Sequence, residues 1–226
     1  MLELAPTRTH KTEAHAPKRL SGEIFGALIN LSGRRRFTSQ RLVLYAVLAA
    51  QGHKNADAAA QEALTLFRDA HVSLVNGSDQ LPGVFCDELQ DAYFGTAQGD
   101  RKIRDFIQLA ERTLEGIRAG TRQAPALLEQ LVECATPLLA VLNRITQVYE
   151  ELSKRHAWQV KKQLHGIMGD IESIAKQARM VSFNAQIVAA RAGAAGREFA
   201  VVAGVLSDIT GEIDELVRAA MSSSVA

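Results

Sequence analysis

Arginine is concentrated in one short stretch, Ile29-Asn-Leu-Ser-Gly-Arg-Arg-Arg-Phe-Thr-Ser-Gln-Arg41, which sets Arg34, Arg35, Arg36 and Arg41 within about three turns of a helix. A guanidinium keeps its proton and offers a planar fork of donors, so the chemistry available here is the gripping of an oxyanion. Arg35, Arg36, Ser39 and Arg41 are the candidate ligand-binding residues. Neighbouring helical residues point about 100° apart, so these side chains cannot all share one face: Arg34 and Arg41 nearly coincide, and Arg36 points elsewhere. If Arg36 turns inward it needs an anion, because a buried cation is retained only with partners. Otherwise the cluster lies on the helix surface and pairs with carboxylates such as Glu23 or Glu62.

No residue spacing suggests catalysis. His10, His15, His53, His71, His156 and His165 are scattered, and the chain has no Cys-x-x-Cys, Glu-x-x-His or glycine-rich phosphate loop. The expectation is a non-enzyme without metal or cofactor. Cys86 and Cys134 fit no disulfide framework, which suits a reduced, cytoplasmic setting.

The elements that must position these residues are helical. The 226 residues are 47% hydrophobic but only 5% aromatic, a balance suited to helices packed through small and aliphatic side chains. The formal charge of +1 gives no general attraction to nucleic acid. Apolar runs such as 42–50 and 137–142 fall short of the ~20 residues of a membrane span. Residues 1–20, with basic residues and prolines but no apolar core, read as a disordered leader.

From Ser21, an N-cap, a first helix runs to Gly52 with Ile24, Leu28, Leu31, Leu42, Tyr45, Leu48 and Ala49 inward. A second follows Asn55, with Ala58, Leu64, Phe67, Ala70 and Leu74 inward, and ends at Asn76-Gly77. Residues 77–99 form a loop holding a short helix over 84–94. Asp100 caps a third long helix that Gly120 ends. A fourth begins near Pro125 and either runs through Pro137 as one bent element or restarts there. Beyond Pro137 the seam reads Leu138, Leu142, Ile145, Tyr149 and Leu152, then slips by a residue to Ala157, Val160, Leu164 and Ile167.

The last third carries the strongest pattern. Ile167, Ile171, Ile174, Ala178, Val181, Ala185, Val188 and Ala192 alternate steps of three and four, as do Phe199, Val202, Leu206, Ile209, Ile213, Leu216 and Ala220. Gly193 and Gly196 lie between the two runs, so the chain is expected to reverse at 193–197 and set one seam on the other. The incoming arm from Pro137 is ~80 Å long and the return to Met221 only ~37 Å.

At the bend, Asn184, Ala189, Ala190, Arg191, Ala192, Gly193, Gly196, Arg197, Phe199, Ala200, Val201, Val202 and Ala203 closely resemble the cytoplasmic signalling tip of methyl-accepting chemotaxis receptors. The resemblance covers roughly 167–220. It implies a homodimer whose tip docks a histidine kinase and its coupling adaptor through Asn184, Ile187, Val188, Arg191, Arg197 and Val201. Val188, Ala194 and Val205 stand where carboxylates are common in that family. In the first helix, Ile29, Asn30, Leu31, Gly33, Arg34, Arg36, Ser39, Gln40 and Arg41 resemble the opening of the PilJ-type sensor domain of type IV pilus chemoreceptors, and the signature box of nitrate-sensing kinases. That likeness implies a small anion, such as nitrate, at Arg36.

The expected architecture is all-α: a PilJ-like four-helix bundle over 21–152 whose last helix extends into an antiparallel coiled-coil hairpin over 153–226. The expected function is cytoplasmic signal transduction, with a non-sensing protein that caps or competes within a chemosensory array as the alternative.

Overall fold

The computed structural model describes residues 20–223. The leader expected over 1–20 lies outside the described residues except for Leu20, which packs against the core. All regular structure among the described residues is helical: α1 (Gly22–Ala50), α2 (Ala56–Asn76), α3 (Asp87–Phe94), α4 (Gly99–Arg118), α5 (Ala124–Arg191), a 3-10 turn (Gly193–Gly196) and α6 (Arg197–Ser223). They fall into two compact units that divide between Ser153 and Lys154, inside the stretch where the α5 seam changes phase.

Local chemistry explains most boundaries. The Ser21 hydroxyl accepts from the Ile24 N–H at 3.3 Å and caps α1. Asn55 enters α2 in the left-handed region, and Gly77 leaves it at φ +82°. A side chain at Gly77 would meet the backbone of Gly83, because the loop folds back there with Val84 N–H donating to Val75 C=O at 3.0 Å. The short helix starts later than expected, at Asp87. Asp100 does not cap α4; Gln98 precedes the helix, and Asp100 sits in its first turn with its carboxylate turned into the protein. α5 passes through Pro137 without a break.

The core of the first unit joins α1 to α4 and the beginning of α5. In α1 the buried residues are Phe25, Leu28, Ser32, Arg35, Ser39, Leu42 and Ala46, a heptad seam with a polar middle, together with Thr38 beside it. Of the residues expected inward, Leu28 and Leu42 are buried, whereas Ile24, Leu31, Tyr45, Leu48 and Ala49 are half-exposed. In α2, Ala58 faces solvent and Ala60, Leu64, Phe67, His71 and Leu74 form the seam. In α5 the expected residues Leu138, Leu142, Ile145, Tyr149 and Leu152 are all buried.

Among the described residues, one helix is long and apolar enough, by length and composition, to cross a membrane: α5 contains an 18-residue window of mean hydropathy 1.4. Reading unbroken apolar runs misses it, because polar residues interrupt the window. Leu131, Leu138 and Leu142 of this helix are buried in the core of the first unit.

In the second unit the end of α5 and α6 lie against each other through small residues. Ala175, Ser182 and Ala189 on α5, and Gly196, Ala203, Thr210 and Val217 after the turn, recur at heptad spacing and are buried. The Ser182 hydroxyl donates to the Ala203 carbonyl, and Arg179 pairs with Asp214 at 3.0 Å. Any side chain at Gly196 would collide with the Ala189 carbonyl. This revises the matched-seam expectation. Ile167, Ile171, Ile174, Val181 and Val188, and Phe199, Val202, Leu206, Ile209 and Leu216, are exposed rather than set against each other. Small residues allow the backbones to approach closely, so they take the contact and the bulky residues turn outward.

Candidate functional site

Two regions concentrate the residues singled out in the sequence. In the first unit, Arg35 rather than Arg36 enters the core, at 0% exposure. Its Nη2 donates to Ser32 Oγ at 3.1 Å and its Nη1 to His71 Nδ1 at 3.2 Å. Proton counting then sets the direction of every further bond. Thr146 spends its hydroxyl proton on Leu142 C=O at 2.8 Å, so Ser32 donates to Thr146 at 2.9 Å. His71, accepting at Nδ1, donates from Nε2 to Asp100 Oδ1 at 3.1 Å, and Arg104 Nε donates to Asp100 Oδ2 at 2.9 Å.

A single polar chain therefore crosses the first unit from α4 through α2 and α1 to α5. The Tyr93 ring lies 5.7 Å from the Arg35 guanidinium carbon, and its hydroxyl meets that of Tyr149 at 3.3 Å. Burial, and then the charge of Arg35, hold His71 down at about 4, so it is neutral at physiological pH. Burial and the Tyr93 hydroxyl push the Tyr149 phenol far above its usual range. Arg35 Nε has no hydrogen-bond partner, so the buried cation is incompletely satisfied.

The other ligand candidates lie around this chain. Arg36 is half-buried, and its Nη1 donates to Asn143 Oδ1 on α5 at 3.2 Å. Ser39 is buried, with its hydroxyl bonded to the Arg36 carbonyl at 2.9 Å. Arg41 is separate: it pairs with Glu62 at 2.8 Å and stacks on Tyr45. Sequence reasoning missed His71 and Asp100. Both occupy seam positions of their helices, Ala60-Leu64-Phe67-His71-Leu74 and Asp100-Ile103-Ile107-Ala110-Leu114, and that phase was the available signal.

The second region is the turn after α5. Asn184, Ile187, Val188 and Arg191 at the end of α5, and Arg197 and Val201 at the start of α6, flank it and are all exposed. A shallow groove beside Asn184 is lined by Lys176, Arg179, Met180 and Phe183. Among the described residues no cluster of His, Cys, Asp and Glu is arranged to hold a metal.

Residues 138–218 match the methyl-accepting chemotaxis protein (MCP) signalling domain, and residues 25–104 match the type IV pili methyl-accepting chemotaxis transducer N-terminal domain, PilJ. The chain is chemoreceptor-like. The PilJ match takes in α1 to the first turn of α4, and with it Arg35, His71 and Asp100. The signalling-domain match begins at Leu138, within the first unit, and ends in α6. Comparison of the chemoreceptor-like chain with curated proteins and with solved structures returned no match.

Proposed function

We propose that the chain relays a small-ligand signal in the cytoplasm, acting as a homodimer that docks a histidine kinase and its coupling adaptor and carries out no catalysis itself. The supporting observation is the division of labour in the second unit. Buried small residues hold α5 and α6 together, while Ile187, Val188, Arg191, Arg197 and Val201 stay open. An open row of Ile, Val and Phe with interspersed Arg and Asn is the composition of a docking surface, with apolar anchors and a few charge-assisted bonds. Arg191 is the group whose loss should weaken docking most, since arginine anchors carry disproportionate binding energy. Wild-type protein is expected to co-purify with the kinase and adaptor of its own source, and Arg191→Ala to lose them while keeping its helical content by circular dichroism. If both proteins emerge alone, the docking reading is rejected.

The ligand assigned to the first unit under this reading is a small oxyanion at Arg36. One of its N–H donors meets Asn143, and the half-buried fork has others to offer. Millimolar nitrate is expected to raise the melting temperature of the wild type and leave that of Arg36→Ala unchanged. A rise of equal size in both proteins removes Arg36 from the site and favours a non-sensing role as a competitor within a chemosensory array.

A further inference from the structure

A cavity of about 300 Å³ opens between α4 and α5, walled by Phe106, Leu109, Pro137, Leu138 and Val141. For scale, a dry apolar cavity of about 150 Å³ takes up benzene. Space of this size accommodates a ring with a short tail. Its rim is polar on one side, where Lys102 and Asp105 stand. Asp105 pairs with Arg101 at 3.9 Å, which leaves Lys102 as the cation available to a ligand. Mostly apolar walls with one convergent charge are the usual make-up of a small-molecule site.

The position of the cavity adds to this. Pro137 lies in the wall, and inside α5 it contributes no N–H to the helical ladder. Cys134 lies in the same wall, half-buried, with its Sγ donating to Leu131 C=O at 3.3 Å and its thiol pushed up by burial. A molecule held here contacts both helices beside Pro137.

We infer that this cavity is a ligand site, separate from Arg36, that takes a small aryl-alkanoate with its ring against Phe106, Leu109, Leu138 and Val141 and its carboxylate at Lys102. The neutral alcohol of the same shape has the same apolar contacts without the charge contact, so it binds more weakly. Propionate has the charge without the ring and leaves the cavity empty.

The test follows alkylation of Cys134 in the full-length protein by peptide mass, with Cys86 as the internal control, using 3-phenylpropionate, 3-phenylpropanol and propionate as probes. With every probe at one concentration, ten times the dissociation constant of 3-phenylpropionate, the free fraction in that acid, and with it the Cys134 rate, falls about tenfold. That slowing is expected for 3-phenylpropionate, with Cys86 unaffected, a smaller slowing for the alcohol and none for propionate. Lys102→Gln, at an exposed position that leaves the core intact, is expected to erase the preference for acid over alcohol. Val141→Phe is expected to fill the cavity and abolish protection by both. The inference is overturned by unprotected wild-type Cys134, by equal protection of Cys86, by equal effects of acid and alcohol on the wild type, or by protection that survives Val141→Phe. None of these outcomes bears on nitrate at Arg36 or on docking at the tip.

Discussion

Asp100→Asn is expected to destabilise the first unit by about 3–5 kcal/mol, although it exchanges a single oxygen for an amide nitrogen. Arg35 is fully buried, and the only carboxylate its bonded chain reaches is Asp100, through the neutral His71. Removing that charge strands a guanidinium in a medium where desolvation is expensive and protonation cannot be surrendered. The converse substitution is much milder. In Arg35→Met, Asp100 keeps Arg104 at 2.9 Å and His71 at 3.1 Å, and the lost bonds to Ser32 and His71 are offset by removing a desolvated cation with an unpartnered Nε. That variant should lie within about 1 kcal/mol of wild type. Urea unfolding followed by far-ultraviolet circular dichroism measures both, and Arg35→Met/Asp100→Asn is expected to recover most of the loss. Equal destabilisation by the two single substitutions would show that the charges do not answer each other.

The second large effect is on acid stability. His71 titrates at about 4 in the folded protein against 6.5 for an unhindered imidazole, because burial and then Arg35 disfavour its charged form. Asp100 opposes the shift and Arg104 adds to it. Between these two values the unfolded chain binds the extra proton, so stability falls as pH drops from about 6.5 towards about 4 and is regained as pH rises. The full drop is on the order of 3 kcal/mol from this residue. His71→Gln is the informative comparison, since a glutamine amide can accept from Arg35 and donate to Asp100 without titrating. Its unfolding free energy is expected to match wild type below pH 4 less closely than at pH 7, the variant being the more stable in acid. Parallel pH profiles for the two proteins would mean that His71 protonates freely in the folded state.

Helix ends were largely legible in the sequence because they depend on single residues with strong local preferences. Ser21 caps α1, Asn55 and Gly77 bound α2, and Gly120 follows α4 at φ +62°. Faces were harder to read. The α1 seam runs through Ser32, Arg35 and Ser39, so a search for apolar residues drifts onto the half-exposed Leu31 and Tyr45. Arg35 is a candidate ligand residue in the sequence, but the inward-facing position is weighed there only for Arg36, and it is Arg35 that is buried. On α5 and α6 the bulky Ile, Val and Phe residues announce a seam with correct heptad spacing. They do not announce which neighbour they face, because that depends on how closely Ala175, Ser182, Ala189 and Ala203 let the backbones approach. The tip candidates lie in the last two turns of α5 and the first of α6, on either side of the Gly193–Gly196 turn, and all of them are exposed.

Those small residues have a practical consequence for mapping the tip. An alanine scan samples every bulky exposed residue but is blind at Ala175, Ala189 and Ala203, where the wild-type residue is already the probe. Yet these are the places where one added methylene would spread the two backbones and displace every side chain carried on them. A scan that enlarges residues instead of truncating them would score these alanines as strongly as true contact residues. Only a direct footprint of the bound partner would separate the side chains that touch it from those that set the spacing.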